Sequence, residues 1–216
     1  MQASKIQTLD VKGLSLIAIL RGLDVPRAQS IGELLYEAGF RALEVPLNRP
    51  HASECIEILC RTMPSDMLVG AGTVTTRAQV HMVKQLGGGL IVSPHCDVDL
   101  IEQSLGLGLL CIAGVFTASE AYQAWRAGAR ALKLFPADAL GLEGLKALAS
   151  ILPPDLALLP VGGVGPHNML AWRQAGATGF GIGGSLFKPS DTLDHVTQQA
   201  QRCVRAWQES SIAVQL

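Results

Sequence analysis

The stretch Ala131-Leu132-Lys133-Leu134-Phe135-Pro136 carries a lysine in the middle of a short apolar segment. We predict a buried strand here, because a glycine before the stretch and the proline at its end bound a segment too short for a helix. Side chains alternate across a strand, so Leu132 and Leu134 share one face and Lys133 lies on the other. If the leucines pack under helices, the lysine amine points into the protein interior.

The position of Lys133 has two interpretations, which the hexapeptide alone leaves open. An unpaired ammonium in a protein interior is costly, so a buried Lys133 must find a partner or lose its charge. A desolvated lysine with a lowered pKa is a nucleophile, and its usual product with a carbonyl compound is a Schiff base. A lysine near a strand end can instead extend along the surface and keep its ammonium in water.

The composition indicates a folded protein with a large apolar core. Of the 216 residues, 49% are hydrophobic and 16% are charged, and the net charge is -1. This balance offers no electrostatic attraction to nucleic acid or to an anionic membrane, and an aromatic content of 5% argues against base stacking. We therefore expect neither nucleic acid nor a membrane as a partner.

The cysteines and the first apolar run bear on the cellular location. Five cysteines are an odd number without ligand-like spacing, so we interpret them as reduced thiols of a cytoplasmic protein. The apolar run over residues 14–20 is much shorter than the roughly 20 residues that a membrane helix needs. We interpret it as a strand, and neither as a signal peptide nor as an anchor.

Predicted strands and helices alternate along the chain, and glycines end several of the helices. The predicted strands cover residues 14–21, 42–46, 68–74, 90–93, 109–113, 131–136, 157–161 and 179–182. The predicted helices cover residues 26–38, 51–61, 77–86, 98–105, 119–127, 142–151, 167–175 and about 193–210, after a short polar N-terminal helix over 2–12. Such alternation implies parallel pairing, and eight units predict an α/β protein with a single (β/α)₈ TIM barrel over residues 1–216. An open doubly wound sheet lacks support, because Arg21-Gly22-Leu23-Asp24 stands where that fold carries a glycine fingerprint.

The active site of a (β/α)₈ barrel lies at the carboxyl ends of its strands. The residues predicted there are Arg21, Glu44, Thr73, Ser93, Pro94, Lys133, Gly162, Gly163, Gly183, Gly184 and Ser185. Glu44 lies between two apolar residues, so the alternation turns it inward, as it does Lys133. Glu44 is then either a structural ion-pair partner of Lys133 or a general acid/base beside an amine nucleophile, and the polar residues around it favour the second interpretation.

Two glycine pairs predict a phosphate site. One pair, Gly162-Gly163, follows the seventh predicted strand, and the second begins the run Gly183-Gly184-Ser185 after the eighth. Backbone N–H groups at these positions of a barrel commonly bind phosphate. Arg21 and Thr73 offer a cation and a hydroxyl for a substrate carboxylate, and Arg21 alone fits a solvated strand-end charge equally well.

The histidines give no sign of a metal site. His51, His81, His95, His167 and His195 fall in predicted helices or loops, without a cluster of His, Asp and Glu at the strand ends. We therefore expect no metal.

Six motifs, in order along nearly the whole chain, resemble one known family. They are Ala18-Ile19-Leu20-Arg21-Gly22, Glu44-Val45-Pro46-Leu47-Asn48, Gly70-Ala71-Gly72-Thr73-Val74, Leu132-Lys133-Leu134-Phe135-Pro136, Val161-Gly162-Gly163-Val164 and Gly181-Ile182-Gly183-Gly184-Ser185. The sequence is similar to the class I 2-keto-3-deoxy-6-phosphosugar-acid aldolases, the KDPG/KHG aldolase family. The resemblance implies a homotrimer of (β/α)₈ barrels that needs no cofactor. Its substrate would be a phosphorylated keto sugar acid, cleaved to pyruvate and glyceraldehyde 3-phosphate.

The resemblance also implies a role for each site residue. Lys133 would form the Schiff base, and Glu44 would transfer protons. Arg21 and Thr73 would hold the keto-acid end of the substrate. The phosphate would bind at Gly163, Gly183 and Gly184, and the other substrate-binding residues would be Pro94, Phe135, Val161, Gly162 and Ser185.

Few positions separate the galactonate and gluconate branches of this family. The gluconate branch typically has a threonine before the first glycine pair and a basic residue after the glutamate-bearing strand, where this chain has Val161 and Asn48. Arg21 can supply the missing cation, so these positions favour the galactonate branch, although the run Gly183-Gly184-Ser185 resembles the gluconate loop. The alternatives are a gluconate aldolase, a phosphate-binding barrel isomerase or epimerase, and a sugar-phosphate sensor.

Overall fold

Between residues 15 and 215, the part of the chain that this computed structural model describes, eight strands alternate with eight α-helices, and side chains are described as far as residue 213. The helix predicted over residues 2–12 lies outside this part. The strands are β1 Leu16–Ile19, β2 Ala42–Pro46, β3 Leu68–Gly72, β4 Leu90–Val92, β5 Leu110–Val115, β6 Ala131–Leu134, β7 Ala157–Pro160 and β8 Phe180–Ile182. The helices are α1 Ala28–Ala38, α2 Ala52–Thr62, α3 Arg77–Gln85, α4 Val98–Gly106, α5 Ala118–Arg126, α6 Ala137–Ile151, α7 Met169–Gln174 and α8 Leu193–Gln215.

The strands form one parallel sheet in the order β7-β6-β5-β4-β3-β2-β1-β8. A parallel bridge between Val161 and Gly181 brings the two edges of this sheet together after β7 and within β8. Each strand is followed by a helix that returns to the other end of the barrel, so all the carboxyl ends lie on one side. The predicted (β/α)₈ barrel is confirmed.

Two apolar layers cover the two faces of the barrel strands. The inner layer fills the barrel with Ile17, Ala42, Leu90, Val92, Leu110, Ile112, Ala131, Ala157 and Leu159. The outer layer lies between strands and helices, and it contains Leu132 and Leu134 of β6. Burying each of these leucines stabilises the fold by about 1.5–3 kcal/mol. The alternation predicted for β6 is therefore confirmed, with Lys133 on the inner face.

Six of the eight strands end one or two residues away from the predicted end, and the shifts of β5 and β3 have a clear physical cause. β5 extends to Val115, beyond the predicted end at residue 113, because Gly114 and Val115 pair with β6. A glycine carries no apolar signal, so the pattern stops before it. β3 ends at Gly72, before the predicted end at residue 74, because Thr73 has a φ of 56° and leaves extended geometry.

Two helices after the later strands also differ from the prediction. α6 begins at Ala137 instead of residue 142, and Gly141, with φ 72° and ψ 170°, separates its first turn from the rest. α7 begins at Met169 instead of residue 167, because Asn168 is not helical and its side chain bonds to the preceding loop. Within residues 15–215, none of the helices combines the length and apolar character that a bilayer crossing requires.

Candidate active site

Lys133 lies inside the barrel, one residue before the end of β6, and only 7% of it is exposed. Burial lowers the pKa of its amine, because the charged form loses hydration. The Glu44 carboxylate opposes this shift of the Lys133 pKa, and the Arg21 cation adds to it. Lys133 is therefore closer to the neutral, nucleophilic form than a lysine in water.

The Phe135 ring covers the Lys133 amine from the pocket side. The Nζ atom lies 4.7 Å from the ring centroid, within the range of a cation–π contact. The ring is itself partly exposed, so it forms a boundary between the amine and the wider pocket.

Glu44 faces inward from β2 and is 2% exposed. Burial raises the pKa of its carboxyl group to about 7, against the opposing effects of the Lys133 and Arg21 charges. Within the described part of the chain, its Oε2 atom has no hydrogen-bond partner, and the ion pairs within 4.0 Å do not include Glu44 with Lys133. The direct ion pair that the sequence left open is not formed. A carboxyl group with a pKa of about 7 exchanges protons readily at neutral pH.

Glu44 and Lys133 line the same small cavity inside the barrel, which has a volume of about 10 Å³. That volume is near the lower limit for one water molecule. The cavity adjoins a wider pocket of about 420 Å³, and Ile19, Val161 and Gly181 line both. The two reactive groups therefore lie directly beneath an open pocket at the carboxyl end of the barrel.

Most of the predicted binding residues line the wider pocket. Those that line it are Arg21, Phe135, Val161, Gly162, Gly163, Gly183, Gly184 and Ser185. His167 also lines this pocket and was not predicted to do so; no sequence signal distinguishes it from a surface histidine. A barrel with a buried lysine and glutamate beneath such a pocket can bind an anionic carbonyl compound and act on it through the amine.

Arg21 follows β1 and lies at the pocket wall. Its Nη1 atom donates a hydrogen bond of 3.1 Å to Oδ1 of Asn48, which follows β2. Both side chains are exposed, so they are accessible to an anionic ligand. Asn48 therefore orients the Arg21 guanidinium group, which the sequence analysis predicts to bind a substrate carboxylate.

The two glycine loops are held together by side chains at the same end of the barrel. Gly162 and Gly163 have φ values of 104° and 68°, a left-handed backbone that glycine adopts without strain. The Ser185 hydroxyl donates a hydrogen bond of 2.9 Å to the Val164 carbonyl oxygen. The loop after β7 is therefore fixed to the loop after β8.

Asn168 is a site residue that the sequence reasoning missed. Its Nδ2 donates to the Gly163 carbonyl oxygen at 2.9 Å, and its Oδ1 accepts from the Gly165 N–H at 3.0 Å. An asparagine before a helix is typical of an N-cap, which is the only signal that the sequence offers. Here the side chain bonds backward to the glycine loop instead of capping α7.

Pro94 and Thr73 do not line either cavity. Pro94 follows β4 and passes over Gly114, where an ideal Cβ would lie 2.5 Å from the Pro94 carbonyl oxygen. Gly114 of β5 pairs with Lys133 of β6, so Pro94 lies next to the residue that neighbours Lys133 across the sheet. Buried Ser93 fixes this loop by donating a hydrogen bond of 2.8 Å to the His95 carbonyl oxygen.

Among the residues whose side chains are described, no group of three or more His, Cys, Asp or Glu is arranged to hold a metal ion.

Fold and site together define a protein of the (β/α)₈ barrel class, with a buried amine and a buried carboxyl group at the carboxyl ends of its strands. Comparison with known proteins gives the family within this class. The chain belongs to the aldolase family described as KDPG and KHG aldolase, whose sequence model matches residues 8–203.

Two relatives carry names of the galactonate branch of this family. The chain is 39% identical over 197 residues to the 2-dehydro-3-deoxy-6-phosphogalactonate aldolase of Escherichia coli K12, covering 91% of this chain and 96% of the relative. It is 42% identical over 192 residues to a protein of Rhizobium meliloti described as a probable aldolase of the same name, covering 89% and 91%. A solved structure described as native KDPGal superposes with a TM-score of 0.89 at 39% identity, covering 93% of this chain and 96% of that one.

Proposed function

We propose that this protein is a class I aldolase that cleaves 2-dehydro-3-deoxy-6-phosphogalactonate to pyruvate and D-glyceraldehyde 3-phosphate. The observation that carries the proposal is the Lys133 amine, buried beside Glu44 under a pocket that ends on two glycine loops. The names of the relatives at 39% and 42% identity support this substrate. Cleavage of this substrate would be a step in the degradation of galactonate.

The first half of the reaction depends on Lys133. Its neutral amine adds to the C2 carbonyl of the substrate, and loss of water gives a protonated imine. The lowered pKa of Lys133 favours the neutral amine that this addition needs. The imine then withdraws the electron pair of the C3–C4 bond.

The second half depends on Glu44. Its carboxylate takes the proton of the C4 hydroxyl, directly or through a water, and the C3–C4 bond breaks to release glyceraldehyde 3-phosphate. The remaining enamine of pyruvate is protonated at C3, and water hydrolyses the imine to regenerate Lys133. Protons, electrons and water balance over the cycle, so no cofactor and no metal are required.

The pocket supports one orientation of the substrate. Arg21 at the pocket wall holds the carboxylate end near the imine, with Phe135 beside it. Thr73 and Pro94 line neither cavity, and their part in binding this end rests on the family resemblance alone. The phosphate binds the backbone N–H groups of the two loops at Gly162, Gly163, Gly183, Gly184 and Ser185. Binding energy from the phosphate then aligns the scissile bond with Glu44.

The organisation of the whole protein is part of the proposal. We infer that residues 1–216 form one barrel domain and that the protein is a homotrimer, as the family resemblance implies. All five cysteines are free, which agrees with a cytoplasmic location. Light scattering coupled to gel filtration measures the trimer directly.

Borohydride trapping tests the chemistry. Wild-type protein incubated with pyruvate and borohydride should gain one pyruvate-derived adduct, and peptide mapping should locate it on Lys133. Lys133→Met should gain none while keeping its circular dichroism spectrum. An adduct on Lys84, Lys146 or Lys188, or trapping that persists in the variant, would show that Lys133 is not the nucleophile. No adduct on wild type would leave the isomerase and the sensor as the better functions.

A gluconate aldolase is the second candidate, favoured by the run Gly183-Gly184-Ser185. It differs from the first only in the orientation of the substrate C4 hydroxyl. Side-by-side cleavage assays with the two C4 epimers distinguish them, and a higher kcat/KM for the gluconate epimer would reverse the assignment.

A further inference from the structure

The Glu44 carboxyl group is buried, yet its Oε2 atom has no hydrogen-bond partner in the described part of the chain. A general acid/base must nevertheless be held in one orientation toward the proton that it transfers. The backbone of the neighbouring strand β3 supplies a steric explanation.

Gly72, the last residue of β3, lies against this carboxyl group. An ideal Cβ built on Gly72 would lie 2.5 Å from Oε1 of Glu44 and closer still to its Cδ and Oε2 atoms. Non-bonded carbon atoms normally approach no closer than about 3.5 Å. The carboxyl group therefore occupies the space that any side chain at position 72 would need.

The backbone at Gly72 has little freedom to move away. It pairs with Pro46 of β2 on one side and with Val92 of β4 on the other. Its carbonyl oxygen also accepts a hydrogen bond of 2.9 Å from the Leu47 N–H. A side chain at this position would consequently displace Glu44, which is the movable partner.

The contact of Gly72 differs from that of the other glycine in the same strand. An added Cβ at Gly70 would overlap the backbone of Leu90, so Gly70 serves the packing of β3 on β4. Gly72 is also not among the described glycines with positive φ, so an alanine there acts through overlap and not through backbone strain.

We propose that Gly72 is a positioning residue for catalysis: the flat backbone of β3 at this glycine fixes the orientation of the Glu44 carboxyl group. The inference rests on the proposed aldolase function, in which Glu44 transfers the proton. It adds a residue that neither contacts the reacting atoms of the substrate nor carries a functional group.

The test compares Gly72→Ala with wild type for cleavage of the phosphogalactonate substrate. We expect kcat to fall by at least about tenfold, as for a partly misplaced acid/base, with KM changed much less. The inflection of the kcat–pH profile near neutral pH should shift or vanish. Gly106→Ala is the matched control, because an added Cβ there meets nothing within 4 Å, and it should behave as wild type.

A double-mutant cycle with Glu44→Ala shows whether the effect passes through Glu44. Gly72→Ala should lower the melting temperature of the wild-type background and leave that of the Glu44→Ala background unchanged, because the overlapping group is then gone. If Gly72→Ala alone fails to fold, the double variant should fold.

Three results would overturn the proposal. They are unchanged kcat and pH profile in Gly72→Ala, an equal loss of melting temperature in both backgrounds, and failure of the double variant to fold. Cleavage of the phosphogalactonate substrate by wild type is measured alongside. It distinguishes a failure of the Gly72 proposal from a failure of the aldolase assignment. The melting-temperature cycle needs no substrate and stands independently of that assignment.

Discussion

Burial shifts the pKa of the Glu44 carboxyl group and that of the Lys133 amine more than the charge of either group shifts the pKa of the other. It raises the pKa of Glu44 to about 7 and lowers that of Lys133, while their mutual attraction opposes both shifts. Each group is therefore shifted toward its uncharged form. This state suits an amine that must attack a carbonyl and a carboxyl group that must exchange protons near neutrality.

Replacing Glu44 by glutamine tests its role in proton transfer. Wild-type kcat should rise with pH through about 7, because only the ionised carboxylate can accept the C4 hydroxyl proton. Glu44→Gln keeps the size of the side chain but removes the acceptor, so kcat should fall by about 10²- to 10⁴-fold and lose this pH dependence. Measuring kcat for both proteins across neutral pH checks this, and a nearly unchanged rate would make Glu44 a structural residue only.

The same carboxyl group should make the stability of the fold depend on pH. The pKa of Glu44 is raised from 4.5 to about 7 in the folded state, so its stabilising contribution is complete below 4.5 and is lost as the pH rises to about 7. At about 1.4 kcal/mol per pKa unit, the loss amounts to about 3 kcal/mol. Denaturant unfolding of wild type and Glu44→Gln should show this fall in wild type alone; parallel pH profiles would contradict it.

Val161 is the residue where the selection between C4 epimers can be tested. It lines both the reactive cavity and the wider pocket, so it borders the part of the substrate between the imine and the phosphate. A threonine of similar volume can form a hydrogen bond with a C4 hydroxyl, which is worth about 0.5–1.5 kcal/mol, or up to about tenfold in relative rate. Wild type should prefer the galactonate epimer, and Val161→Thr should raise relative cleavage of the gluconate epimer. If kcat/KM ratios stay unchanged, Asn48 and Arg21 are the next positions to test.

At the scale of the elements, alternation along β2 and β6 was sufficient to predict that Glu44 and Lys133 face inward. The neighbours across strands were not predictable, because they depend on the pairing register. Nothing in the sequence distinguishes Gly72 and Gly114 from other glycines. Their neighbours follow only from the pairing of β3 with β2 and β4, and of β5 with β6. The role of Asn168 was likewise hidden, because its bonding partners depend on the path of the loop after β7.

Asn168 should affect substrate affinity through that loop. Asn168→Ala removes the two hydrogen bonds that fix Gly163 and Gly165, each worth about 0.5–1.5 kcal/mol. The loop should then bind phosphate less well, and KM should rise by about tenfold with a smaller change in kcat. Ser150→Ala is the control, since it removes a local hydrogen bond to Ala147 within α6. Equal effects of the two variants on KM would show that Asn168 does not act through the phosphate loop.

At the scale of the whole molecule, the parallel barrel explains why site residues are so dispersed in the sequence. Arg21, Phe135 and Ser185 follow different strands, and they meet because all strands end on one side. The barrel interior is filled with apolar side chains below this level, so water reaches the reactive pair from the pocket side.

At this scale we predict that the activity is independent of metal ions. Cleavage of the C3–C4 bond needs an electron sink, which is either the imine on Lys133 or a divalent metal bound to the substrate oxygens. A metal needs several protein ligands, and the residues lining the two adjoining cavities include a single carboxylate, Glu44, and a single histidine, His167. Activity should therefore survive dialysis against EDTA without loss, and borohydride should still inactivate the treated enzyme in the presence of pyruvate. Loss of activity that a divalent ion restores, together with resistance to borohydride, would assign the electron sink to a metal instead of to Lys133.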